Sequence, residues 1–117
     1  MKTIGIVGSR RRCDKIDLDK LKTSFNSIFE EGDRIVSGGC FKGGDKFAEL
    51  LAEELGLSIT IHHADWNNRG RAAGFIRNSK IAEDCDILLA LVAKDRTGGT
   101  EDTVRKSEKL GKTVILI

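Results

Sequence analysis

Thr3-Ile4-Gly5-Ile6-Val7-Gly8, followed by Ser9-Arg10, is the stretch that decides the fold. An apolar, β-branched run that stops at a glycine and gives way to a helical pattern is how a buried parallel strand ends in an α/β sheet. The arrangement recurs twice. Arg34-Ile35-Val36-Ser37 leads into Gly38-Gly39-Cys40-Phe41-Lys42-Gly43-Gly44-Asp45, and an apolar run from Cys85 to Val92 leads to Gly98-Gly99-Thr100. Glycine lets backbone N–H groups approach a phosphate, and a helix N-terminus behind the turn supplies unpaired donors and the positive end of a dipole. Three such turns in one short chain point to a phosphate-bearing ligand at the carboxyl ends of parallel strands.

Working outward, Ile16, Leu18, Leu21, Phe25, Ile28 and Phe29 repeat at helical spacing, with Gly32 as the expected C-cap. A second helix is expected from Gly44 or Asp45, carrying Phe47, Leu50, Leu51 and Leu55 on one face and ending at Gly56. Leu57 to Ile61 read as a third strand, and His62 to Arg71 as an irregular segment around the only Trp. A helix from about Ala72 to Glu83 precedes the fourth strand. A last helix from near Thr100 to Gly111 precedes a closing strand, Lys112 to Ile117. This alternation predicts a Rossmann-like three-layer α/β sandwich over residues 1–117, read as one domain. Right-handed crossovers favour a five-stranded parallel sheet in the order 3-2-1-4-5. Its switch point falls between the first and fourth strands, where the glycine turns would converge.

Composition sets the limits. With 117 residues, 39% hydrophobic and 32% charged, the chain matches an ordinary globular domain, and its net charge of +2 does not by itself imply nucleic acid. No signal-like or membrane-spanning run is evident, and the three widely spaced cysteines form no C-x-x-C pair, so a reducing, cytoplasmic setting is expected. Cys85 reads as a small buried hydrophobe, while Cys40, inside the second turn, is a candidate exposed thiol. Neither a cofactor nor a metal site is predicted.

The first turn is not G-x-G-x-x-G, and Gly43-Gly44-Asp45-Lys46 lacks the G-K-[ST] ending of a P-loop. Dinucleotide-dependent hydride transfer and P-loop hydrolysis are set aside accordingly. Arg10-Arg11-Arg12 reads either as a solvated basic turn or, for Arg10, as a phosphate contact. Asp45 and Thr100 sit where helix N-caps belong, and either can also meet a ligand. Trp66 is a packing anchor or a platform for a base. Arg77 points to the crevice or to solvent. His62 and His63 lack partners at ligand spacing and read as ordinary loop histidines.

Taken in order, Gly5-Ile6-Val7-Gly8-Ser9-Arg10, Ser37-Gly38-Gly39-x-x-x-Gly43-x-Asp45, Ala64-Asp65-Trp66, Ala72-Ala73-Gly74-x-x-Arg77-Asn78 and Gly98-Gly99-Thr100 resemble the SLOG superfamily. That superfamily groups the Lonely Guy phosphoribohydrolases, the DprA/Smf proteins and smaller nucleotide-binding relatives, and the chain is most similar to its small YspA-like branch. The resemblance implies a Rossmann-like fold that binds nucleotides or their derivatives. In the Lonely Guy enzymes an Arg before the fourth strand and the Glu of P-G-G-x-G-T-x-x-E assist cleavage of the bond between base and ribose. Arg77 matches that Arg, whereas the Glu position falls on Thr103 and the Pro is missing. Glu101 comes two residues early, about 200° around the helix. Hydrolysis of that kind would need Asp45 or another carboxylate in its place.

Three functions follow as expectations. The first is a sensor or sequestering module for a nucleotide-derived small molecule, with Gly8, Ser9, Arg10, Gly38, Gly39, Gly43, Asp45, Trp66, Arg77, Asn78, Gly98, Gly99 and Thr100 as candidate ligand contacts. The second is a nucleotide N-glycosidic-bond hydrolase using Arg77 with Asp45 or Glu101. The third, DprA-like binding of single-stranded DNA, is disfavoured by 5% aromatic content and no Tyr. A homodimer through the helix carrying Phe75, Ile76 and Ile81 is expected.

Overall fold

The computed structural model describes residues 1–40 and 42–117. Its strands are β1 (Thr3–Gly8), β2 (Arg34–Ser37), β3 (Ile59–Ile61), β4 (Ile87–Leu91) and β5 (Thr113–Leu116). They form one parallel sheet in the order β3-β2-β1-β4-β5, as the alternation predicts. The helices between them are α1 (Lys15–Ile28), α2 (Gly44–Leu55), α3 (Trp66–Arg69), α4 (Ala72–Asp84) and α5 (Gly99–Lys109).

Strand alternation assigns the two faces. Ile4, Ile6, Ile35, Leu89 and Leu91 pack with Leu21 and Phe25 of α1 and with Phe47, Ala48 and Leu51 of α2. Val7, Val36, Leu88 and Ala90 turn the other way, onto Ile81 of α4 and Val104 of α5. Consecutive residues of β1 thus serve opposite layers, which explains why the central strands are apolar throughout rather than alternating. Among the described residues no helix is long and apolar enough to cross a membrane.

Several boundaries move. Helix α1 ends at Ile28, not at a Gly32 cap, because Phe29 adopts extended backbone and stacks its ring on Phe25 at 5.1 Å. Gly32 instead takes a left-handed φ of 93° in the turn that follows. The segment after β3 is not wholly irregular, since α3 forms one turn ended by Gly70. Cys85 is fully buried as expected, but it closes α4 and precedes β4. Neither Asp45 nor Thr100 is an N-cap: Gly43 and Gly98 hold those places, and both take positive φ.

At the amino ends of the strands, opposite the glycine turns, Asp33 acts as a hub. Its buried carboxylate accepts the Lys2 amide at 2.9 Å, the Lys2 ammonium at 2.6 Å and the Glu30 amide at 2.9 Å. Burial alone would push this carboxyl up, but the bonds from Lys2 and Glu30 outweigh it and hold the pKa at about 2 against an ordinary 3.8. The folded state therefore prefers the ionised form. The stabilisation is present above the unfolded value of 3.8 and is lost as pH falls from there toward 2. Urea denaturation at pH 7 and pH 3 is expected to show wild-type stability dropping on acidification by more than that of Asp33→Asn.

Candidate functional site

All three glycine turns open onto one crevice of about 950 Å³, at the carboxyl ends of β1, β2 and β4. Gly8, Ser9, Arg10, Gly38, Gly39, Asp45, Trp66, Arg77, Asn78, Gly98, Gly99 and Thr100 line it. Gly43 and Glu101 do not. The structure also brings in residues that the sequence did not name as ligand contacts: Arg11, His63, Arg71, Phe75, Thr97 and Thr103.

Glycine serves different purposes in the three turns. A Cβ on Gly8 would meet Gly44 Cα and N at 2.9 Å, and one on Gly44 would lie 2.5 Å from Val7 and Gly8 backbone. Gly43 would bring its Cβ within 2.5 Å of the Ser9 carbonyl. These glycines seat the start of α2 directly on the end of β1. Gly38 has a third role, since a Cβ there would meet the Asp45 carboxylate at 2.8 Å and the Arg77 guanidinium at 2.9 Å. Gly99 is the exception. It has nothing within 4 Å of a built Cβ and its φ is unremarkable, so neither packing nor backbone geometry accounts for glycine there.

Backbone donors are also unevenly distributed. In the first turn the Ser9 amide extends the sheet to the Leu91 carbonyl at 2.9 Å. The Arg11 amide bonds Ser9 Oγ at 3.1 Å and the Arg12 amide bonds the Ser9 carbonyl at 3.0 Å. Little is left here beyond Arg10 and the Ser9 hydroxyl proton. In helix α5, by contrast, the first-turn amides of Gly99 and Thr100 lack intrahelical partners by helix geometry, and the N-cap, Gly98, supplies no side-chain cap for them.

The consecutive arginines separate by task. Arg12 is structural: its guanidinium bonds Asp17 at 2.6 Å and the Val92 and Ile117 carbonyls at 2.7 Å each. Arg11 bonds Asp95 and Thr97 in the β4–α5 loop. Arg10 is exposed on the crevice, and neither its side chain nor that of Arg71 has a hydrogen bond or ion pair among the described residues.

Arg77 faces the crevice. Its guanidinium donates to the Gly38 carbonyl at 2.8 Å and to Asn78 Oδ1 at 3.0 Å. Asn78 in turn donates to Asp102 at 3.1 Å and reaches the Gly99 carbonyl at 3.4 Å. One chain of bonds through α4 therefore ties the second turn to the third. Asp45 is the only carboxylate lining the crevice among the described residues. Burial pushes its carboxyl above the ordinary range, opposed by the Cys40 amide at 3.2 Å, by nearby Arg77 and by Ser37. Glu101 lies elsewhere, buried and held by the Arg96 guanidinium through two bonds of 2.9 Å.

Trp66 is largely exposed at the crevice, with its ring edge over Gly74, 3.1 Å from a built Cβ. Phe75 and Ile76 are exposed on α4. His62 bonds Asp84 at 2.5 Å, whereas His63 lines the crevice with its ring against Gly39. The tandem pair is thus divided, which spacing alone does not reveal.

Fold and crevice define a Rossmann-like parallel α/β protein whose cleft lies at the switch point. Across 97% of its length the chain superposes on 72% of TM1055, a structural genomics target solved by X-ray crystallography, with a TM-score of 0.66. At 16% identity that likeness concerns the fold alone. The Gene 61 protein of Mycobacterium phage D29 is 33% identical over 87 residues, spanning 69% of this chain and 68% of that protein. The chain belongs to the family of that Gene 61 protein. No protein-family model matches it.

Alanine at two glycines separates the packing role from the open one. Gly44→Ala is expected to cost about 2–3 kcal/mol or prevent folding, because only backbone atoms stand in the way. Gly99→Ala is expected to leave stability unchanged or raise it by up to about 1 kcal/mol. Urea denaturation of both variants against wild type measures the contrast.

Proposed function

We propose that this crevice binds a nucleotide or nucleotide derivative, and that the protein is a SLOG-like, YspA-like module that senses or sequesters it. One observation carries the reading. Two crevice arginines, Arg10 and Arg71, have no charge partner among the described residues, and they share the cleft with the uncapped, glycine-bare start of α5. Guanidinium groups and free helix N-terminal amides both recognise phosphate. The volume is at the upper end of ordinary ligand sites, roughly 300–1,000 Å³, so it has room for more than a lone phosphate. Trp66 and Phe75 supply aromatic surface for a base.

A second reading, cleavage of the bond between base and ribose, is favoured by Asp45. With Glu101 committed to Arg96, it is the carboxylate available beside Arg77, and burial suits it to hold a proton at neutral pH better than an exposed acid would.

The test is a thermal-shift and calorimetric screen of nucleoside mono-, di- and triphosphates, with release of free base as a second readout. Binding by the wild-type protein is expected, weakened about tenfold or more in Arg10→Ala, as for losing a charge-assisted contact, and in Gly99→Ala, whose methyl would hold an anion away from the α5 amides, in both without loss of stability. Absence of binding across the panel would overturn the proposal. Base release that Asp45→Asn abolishes would establish the second reading in its place.

A further inference from the structure

We infer that Arg11 and Asp95 form a positioning pair that holds the third glycine turn in its ligand-receiving shape, leaving Arg10 as the cation of the basic triplet that meets the ligand. The inference rests on the anion-binding reading of the crevice and adds to it how the cradle is kept in place.

Strands β1 and β4 are neighbours, and the loops that leave them head to opposite layers of the sandwich. That divergence opens the crevice, and nothing in the sheet itself joins the two loops beyond it. Arg12 joins the loops at their base through the Val92 carbonyl at 2.7 Å, and Arg11 makes the join farther out, at Asp95 and Thr97. Its Nη1 bonds Asp95 Oδ2 at 3.0 Å, and its Nη2 bonds Asp95 Oδ1 at 3.1 Å, the Thr97 carbonyl at 3.1 Å and the Thr97 hydroxyl at 2.9 Å. The guanidinium is thus engaged by both a carboxylate and the backbone leading into Gly98. A planar fork of donors can do this, and a lysine ammonium cannot reproduce the geometry.

The far side of the same loop is fastened as well. Asp95 accepts the Thr97 hydroxyl at 2.7 Å and the Thr97 amide at 3.2 Å. Arg96 is the one non-glycine residue with positive φ, 56°, among the described residues. Such a conformation persists where its surroundings over-determine it. Here the Arg96 amide bonds the Ala93 carbonyl at 2.9 Å, and its guanidinium grips Glu101 in the first turn of α5. Arg11 from one side and Glu101 from the other therefore fix the four residues before Gly99. Because Arg11 and Asp95 are each more than half exposed, the pair adds little to global stability. Its effect is local, on the path of the backbone that presents Gly99 and Thr100.

Asp95→Asn separates positioning from simple charge. If Asp95 were only a carboxylate near an anion site, removing its charge would tighten ADP binding. A positioning role predicts the opposite: ADP binding about tenfold weaker by calorimetry, with the melting temperature little changed. Arg11→Lys, which keeps the charge but not the fork, is expected to weaken binding as much as Arg11→Ala. Backbone amide order parameters give a readout that needs no ligand, and those of Arg96 to Thr100 are expected to fall from about 0.85 toward 0.6 in Arg11→Ala and Asp95→Asn. Unchanged order parameters, or tighter ADP binding by Asp95→Asn, would overturn the inference. Should the wild-type protein bind no ADP, the order parameters decide the positioning role alone, reduced order supporting it and unchanged order overturning it, while the anion reading fails only if the whole nucleotide panel goes unbound.

Discussion

Contact between Gly8 and Gly44, backbone against backbone, is the constraint on which the site depends. The end of β1 and the beginning of α2 approach so closely that a methyl group on either residue would overlap main-chain atoms at 2.5–2.9 Å. Main chain cannot yield as a side-chain tip can, so the approach requires glycine on both partners. It places the second turn on the first and brings Asp45, the second residue of α2, to the crevice. Gly43 repeats the requirement one residue earlier, against Ser9. A glycine-rich segment that looks like a phosphate loop thus proves to be, in large part, a joint between a strand and a helix.

Charge is then distributed on that frame. Arg77 and Asn78, neighbours on α4, link the second turn to the third through the Gly38 and Gly99 carbonyls. The acids near the crevice are mostly engaged by bases: Asp95 by Arg11, Asp102 by Lys106, Glu101 by Arg96. Among the described residues, the charged side chains that face the cleft without a charge partner are Arg10 and Arg71, both positive. A net charge of +2 over the chain conceals this, because the pairing is set by position and not by totals.

Much of the fold was legible in the sequence. Apolar runs ending in glycine marked the three central strands, and helical spacing of residues such as Leu21, Phe25, Phe47 and Leu51 marked the layer that covers one face. Strand order followed from crossover handedness and the expected switch point. The boundaries that moved did so for tertiary reasons. Phe29 leaves its helix to stack on Phe25, and Gly43 and Gly98 displace the polar residues that local preference would have chosen as caps. At the site, the turns were readable because their spacing is local, whereas the sequence left Arg77 facing either crevice or solvent and the fold turned it to the crevice. Arg71, His63 and Thr97 were not readable, since each reaches the crevice from a loop whose path no local pattern specifies. A basic residue just before a helix that flanks a glycine turn was the available signal for Arg71.

By itself the sequence determined which segments become strands and helices, and that glycine turns would meet at one end of the sheet. Periodicity and backbone conformational preference act over a few residues, so they survive in a linear reading. Only the tertiary structure decided what each glycine and each arginine does. Gly44 and Gly99 are the same residue beside similar turns, yet one faces main chain at 2.5 Å and the other faces open space. Arg10, Arg11 and Arg12 are consecutive, yet their nearest partners are, in turn, none among the described residues, a carboxylate 84 residues away, and a carboxylate 5 residues away together with two distant carbonyls. Those assignments depend on atoms brought together from remote parts of the chain, and the chain must fold before they exist.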